Sequence, residues 1–244
     1  PWPDMDDPSR VAHVQQQARR LAEENRYAII ATPWLLFPLE RAFAMQGMDR
    51  FLMNLAMHPE FSRALLEKIA GLCQRLMGHF LDELGRNVDI IKIGDDLGTQ
   101  DRLMISPKMY RQVLKPIHAD YIAFIRRRTQ AKVFFHTDGD VFDLLDDFVE
   151  IGIDILNPIQ HACPGMDTAG LKRNYGRHLI FHGGIDNQQT LPFGTPDDVR
   201  RETRHCMASL GAGNEGYIVC SCHNIQPGTP IETIRAMVET VLEA

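Results

Sequence analysis

Five short apolar runs in this chain each end abruptly in polar residues, and that repeated edge limits the fold more than any other feature. Val88-Asp-Ile-Ile-Lys-Ile ends in Gly94-Asp95-Asp96. Ala131-Lys-Val-Phe-Phe runs into His136-Thr137-Asp138-Gly139. Ile153-Asp-Ile-Leu ends in Asn157-Pro158-Ile159-Gln160, and His178-Leu-Ile-Phe ends in His182-Gly183-Gly184-Ile185-Asp186. Tyr217-Ile-Val-Cys-Ser ends in Cys222-His223-Asn224. Short β-branched and aromatic runs read as strands. Parallel α/β proteins gather their polar groups where strand C-termini meet solvent. The pattern therefore predicts five strand ends at one mouth.

A sixth run, Tyr27 to Thr32, reads as a strand stopped by Pro33. Helical patterns fill the intervals. Apolar residues at 11, 14, 18, 21 and 22 predict a helix from Ser9 to Asn25, after a proline-rich loop that starts at Pro1. Helices are also expected over Trp34–Met45 with a break at Pro38, over Met48–Met57 and from Pro59 to Leu84. Ser106-Pro107 opens one that runs to Thr129 and kinks at Pro116. Others cover 142–150, start at the Thr195-Pro196 cap, and start at a Thr229-Pro230 capping box. Gly152, Gly211 and Gly213 fall where left-handed residues stop helices. Strands alternating with helices imply a parallel sheet with right-handed crossovers.

The chain has 244 residues and no evident linker, so a single domain over 1–244 is expected. Six strands are too few for a closed eight-stranded barrel. Either the sheet is open, or the chain is a fragment whose first two βα units are missing. A net charge of −6 disfavours nucleic acid and anionic membrane surfaces as partners. No apolar run approaches the roughly 18 residues of a membrane span, and no signal peptide is evident. Five cysteines, an odd number, do not suggest a disulfide framework. A cytoplasmic enzyme with free thiols, acting on a small molecule, is the expectation.

The strand ends supply the candidate chemistry. His136 and Asp138 stand two residues apart on an extended segment, so both can face one metal ion. The alternative is a histidine bonded to a loop carbonyl, with Asp138 capping a helix near Gly139. Cys220 and Cys222 share a parity; the deeper Cys220 is expected in the core and Cys222 at the mouth. Asp95 and Asp96 point to opposite sides, so one of them can act as a base or hold a metal-bound histidine. His182 and His223 are further catalytic candidates. Asn157, Gln160 and Asp186 suit the orientation of a polar substrate. Gly183-Gly184 is read as a tight turn.

Taken together, His136-Thr-Asp-Gly139, Ile153–Gln160, His182–Asp186, Leu191-Pro-Phe-Gly-Thr-Pro196 and Cys222-His-Asn-Ile-Gln-Pro-Gly-Thr-Pro230 resemble the uroporphyrinogen decarboxylase superfamily, and its methyltransferase-like branch most of all. The resemblance runs from Tyr27 to the C-terminus. It implies a TIM-type (β/α)₈ barrel of which this chain supplies the last six strands. The decarboxylase's essential aspartate and its carboxylate-clamping arginines belong largely to the first two units. The thiol-methylating branch binds zinc through His-x-Cys on one strand end and a late cysteine on the last strand. His136 matches that histidine, Cys222 matches the late cysteine, and Asp138 stands in place of the middle one. The resemblance thus implies a zinc-dependent methyltransferase with metal ligands His136, Cys222 and Asp138. Its methyl group would move between a corrinoid protein partner and a thiol or methoxylated small molecule, and a homodimer is compatible with this. The alternatives are a metal-free decarboxylase of uroporphyrinogen-like tetrapyrroles and a non-catalytic corrinoid- or tetrapyrrole-binding module that keeps the barrel.

Overall fold

The computed structural model describes residues 2–33, 38–84, 86–213 and 215–244. Pro1 and residues 34–37, where the second helix was expected to begin, lie outside the described residues. The contacts divide the chain into two compact units. One comprises Pro1–Asp96, Ile105–Phe135 and Glu150–Ile153; the other comprises Leu97–Met104, His136–Val149 and Asp154–Ala244.

In the first unit, β1 (Ile30–Ala31) and β2 (Ile90–Gly94) pair in parallel, and β3 (Lys132–His136), whose last residue belongs to the other unit, follows β2 in sheet order. Its helices are α1 (Ala12–Glu24), α2 (Pro38–Gln46), α3 (Met48–Met57) and α4 (Pro59–Leu84). They are followed by α5 (Pro107–Met109), a π turn over Tyr110–Leu114 and α6 (Lys115–Arg126). The long α4 buries Leu66, Ile69, Leu72, Leu76, Met77, Phe80 and Leu84, spaced three and four apart as one apolar face requires. The break expected at Pro116 takes the form of that π turn. Proline has no N–H to give the preceding turn, and the Gln112 carbonyl accepts instead from Arg63 Nη2 at 2.9 Å.

In the second unit, β4 (Ile155–Asn157), β5 (Ile180–His182) and β6 (Tyr217–Ile218) pair in parallel in chain order. The helices here are α7 (Leu145–Ile151, which reaches the boundary of the unit), α8 (Thr168–Tyr175), α9 (Thr190–Phe193), α10 (Pro196–Leu210) and α11 (Ile231–Leu242). The core of this unit is Leu156, Phe181, Ile185, Leu191, Val199, Cys206 and Leu210, all essentially inaccessible to solvent.

Thr195 and Asp198 form the capping box that the sequence announces for α10. The box expected before α11 does not form. That helix starts at Ile231, and Thr229 Oγ1 donates to the Gln226 carbonyl instead. Gly152 and Gly213 are left-handed as expected, whereas Gly211 has φ −89°. The sequence pattern does not signal α8, which Asp167 caps from a loop, or the single turn α9. Among the described residues, no helix is long and apolar enough to cross a membrane.

Candidate metal centre

His136 is the last residue of β3, and the loop after it is clamped from two sides. Thr137 N donates to the Asn157 carbonyl at 2.8 Å, and Thr137 Oγ1 accepts from Leu97 N at 3.1 Å. Gly98 N donates to the Asp138 carbonyl at 3.1 Å, Asp140 N to the Thr99 carbonyl at 2.8 Å, and Gly139 N to Gln160 Oε1. Gly139 has φ +87°, and a Cβ there would stand 2.5 Å from the Gly98 carbonyl carbon. Only glycine permits that approach of two backbones. The clamp holds the Asp138 side chain between two imidazoles.

Asp138 Oδ1 lies 4.0 Å from His136 Nε2, and Oδ2 lies 3.8 Å from His223 Nε2. The two rings stand 5.4 Å apart, tilted by 52°. His136, Asp138 and His223 each present one ligand atom within 4.8 Å of the others. Two ligands at about 2.1 Å on a tetrahedral zinc ion stand roughly 3.4 Å apart. The two gaps to Asp138, each to a different carboxylate oxygen, are about 0.4–0.6 Å wider than coordination needs, and too wide for direct hydrogen bonds. Two imidazoles and one carboxylate are also a donor set zinc accepts, with a fourth position left for a substrate. The residues fit a divalent metal.

Beside this cluster, side chains from four consecutive strand ends form a row. His136 Nδ1 lies 2.6 Å from Asn157 Oδ1, Asn157 Nδ2 lies 2.9 Å from His182 Nδ1, and Cys220 Sγ lies 3.3 Å from the same His182 nitrogen. Asn157 is buried, and its peptide bond to Pro158 is cis.

Cys222 sits elsewhere. It is 4% exposed, its thiol donates to the Ile159 carbonyl at 3.2 Å, and burial pushes its pKa far up. Cys220 is the half-buried one, so the expected order of the two thiols is reversed. The reason lies past β6. Cys222 N donates to the Ile185 carbonyl at 2.7 Å, and that bond turns its side chain inward. His223, one residue further on, occupies the place beside His136 and Asp138.

The substrate-binding candidates have internal partners. Gln160 pins Gly139, and Asn157 joins two histidines. Asp186 accepts from the amides of Gln188, Gln189 and Thr190 at 2.8–3.2 Å, which starts α9. In the first unit, Asp95 is completely buried. Its carboxylate accepts from Leu39 N at 3.0 and 3.1 Å, from Glu40 N at 3.2 Å and from His118 Nε2 at 3.0 Å. It caps the N-terminus of α2 from a distance in sequence, and it is not presented to solvent. Burial raises its pKa, against the pull of those hydrogen bonds. Asp96 is half-buried at the end of β2. The role of His118 had no sequence signal, because 23 residues separate it from its partner.

Residues 2–244 match the uroporphyrinogen decarboxylase (URO-D) family. A methylated-thiol–coenzyme M methyltransferase of Methanosarcina mazei is 22% identical over 99% of this chain and 61% of its own length. A uroporphyrinogen decarboxylase of Coxiella burnetii is 24% identical over 80% of this chain and 52% of its own. The chain thus spans only part of these curated relatives, between 52% and 61% of their length. A solved methyltransferase from M. mazei superposes with a TM-score of 0.73 at 18% identity, over 96% of this chain and 64% of that one, which establishes a shared α/β fold.

Proposed function

Because the chain belongs to the uroporphyrinogen decarboxylase (URO-D) family, we propose that it is a metal-dependent methyltransferase of that family, one domain over 1–244 and built as part of a TIM-type barrel. The observation that carries this reading is the His136–Asp138–His223 cluster at the strand ends. The imidazoles offer lone pairs, and the carboxylate supplies a negative charge that offsets part of the charge of a divalent ion. When bound, such an ion acts as a Lewis acid that holds a thiol as its thiolate at neutral pH. Zinc is the metal proposed, since imidazole nitrogen suits it. With a carboxylate where the related pattern has a thiolate, the site is harder and less zinc-selective. The proposed substrates are a methylated thiol or a methoxylated small molecule, with a corrinoid protein as the methyl-carrying partner. The name of the M. mazei relative supports the thiol.

The Coxiella relative keeps a decarboxylase as the second reading. A substrate with several carboxylates calls for cations around it. His136, Asp138, Asn157, His182, Cys220 and His223 offer ligand atoms for a metal and no arginine or lysine for such a substrate. Calorimetric zinc titration tests the proposal on the intact protein and on His136→Ala, His223→Ala and Cys222→Ala. Zinc binding is expected to be lost in both histidine variants and kept in Cys222→Ala. Unchanged affinity in both histidine variants, or turnover of uroporphyrinogen by metal-free protein, would overturn it.

A further inference from the structure

Asn157 touches both histidines of the strand-end row, and its two amide atoms cannot play the same part. The Asn157 Nδ2 atom also faces the His182 main-chain carbonyl at 3.4 Å. A carbonyl only accepts, so the end of the amide turned toward it is the NH₂ group. That leaves Oδ1 facing His136 Nδ1 at 2.6 Å. An amide oxygen also only accepts, so His136 carries its proton on Nδ1. In the neutral ring Nε2, on the side of Asp138 and His223, is then the nitrogen without a proton. At the other end the NH₂ group donates to His182 Nδ1 at 2.9 Å. That nitrogen is therefore unprotonated, and the neutral ring carries its proton on Nε2.

We propose that Asn157 is a positioning residue that sets His136 and His182 in opposite tautomers, one prepared to bind a metal and the other to donate a hydrogen bond. The argument about metal binding rests on the methyltransferase reading above; the tautomers do not. A metal-binding histidine normally donates its second ring N–H to a fixed acceptor, and that acceptor raises ligand basicity and holds the ring plane. Asn157 does this for His136 from a buried position where water does not compete. The same amide changes the part assigned to His182. With Nδ1 already accepting, its Nε2 is a donor, suited to holding a substrate oxygen or sulfur rather than to removing a proton. Asn157 therefore acts through two other residues and does not itself face a substrate.

The experiment is long-range ¹H–¹⁵N NMR on protein labelled at the histidine ring nitrogens, with no metal added, joined to zinc titration. Native protein is expected to show His136 protonated at Nδ1 and His182 at Nε2. Asn157→Leu removes both hydrogen bonds; His136 should revert to the Nε2 tautomer that free imidazole side chains favour, and zinc should bind about 10–100-fold more weakly. Asn157→Asp keeps an acceptor for His136 and loses the donor to His182. It should hold the His136 tautomer and zinc affinity while releasing that of His182. Nε2 protonation of His136 in the native protein would overturn the proposal whether or not any variant folds. Where the native protein binds zinc, equal affinity of Asn157→Leu would overturn it too. If native protein shows the expected tautomers but binds no zinc, the positioning role stands and the metal-dependent reading falls.

Discussion

Replacing Asp95 by alanine should destabilise the protein more than any other change at a strand end. The carboxylate is 0% exposed and accepts from two α2 amides and from His118. His118 is itself buried, and its other nitrogen lies 3.3 Å from the Tyr110 hydroxyl. Alanine leaves three donors without an acceptor at a site water does not reach. Loss of a helix cap costs about 1 kcal/mol, and removal of one partner of a buried charged pair costs about 3–5 kcal/mol. The two terms share the same oxygens, so the larger one, about 3–5 kcal/mol, is the expected total rather than the sum. For a chain of this size each kcal/mol moves the thermal midpoint by about 2–4 °C, so a fall of about 10 °C is expected. The Asp95→Asn variant keeps an oxygen for the amides and should cost less, about 1.5–3 kcal/mol, in line with a hydrogen bond to a charged group. Urea unfolding followed by circular dichroism measures both. A loss below about 1 kcal/mol for Asp95→Ala would refute the capping argument. A variant of native stability without activity would return Asp95 to the catalytic role that the sequence suggested.

Other clusters give two more expected outcomes. Burial lifts the Glu202 carboxyl, but hydrogen bonds from His161 at 2.9 Å, from the Thr190 side chain and from the Asp186 amide outweigh it and hold the group below its usual 4.5. The Glu202 hydrogen bond in turn holds His161 above its usual 6.5. A raised base stabilises below its unfolded value and loses that contribution as pH rises through the folded one; a lowered acid stabilises above its unfolded value and loses it as pH falls through the folded one. The pair therefore contributes most between 4.5 and 6.5. Glu202→Gln should lower the urea midpoint more at about pH 6 than at about pH 9, and equal losses at both would contradict the pairing. Iodoacetamide should label Cys220 well ahead of the other thiols, since it alone is not buried, while burial pushes Cys73 and Cys206 up to about 12 and Cys163 up to about 11. Mass spectrometry finding Cys222 labelled at the same rate would show that the two thiols are not disposed as described.

Much of the architecture was written locally. Each apolar run that ends in polar residues became a strand of the sheet, and the ranges Met48–Met57, Pro59–Leu84 and Pro196–Leu210 formed helices as read. These elements depend on side-chain period and on caps within a few residues, and both are visible along the chain. His136 and Asp138 could be paired in advance for the same reason: two residues on an extended segment share a side wherever that segment lies. Tertiary structure decided what parity cannot reach. Beyond the last residue of β6, Ile185 still bridges Ser221 in parallel, its N–H donating to the Cys220 carbonyl and its carbonyl accepting from Cys222 N, and there the Cys222 thiol is turned inward, Cys220 lies beside His182 and His223 comes to Asp138. The fates of Asp95 and Asn157 were likewise settled by partners 21 to 56 positions away. Strand-end residues advertise only that they are polar. Whether such a group meets solvent, a helix amide or another side chain depends on which distant donors the folded chain brings within about 3 Å of it.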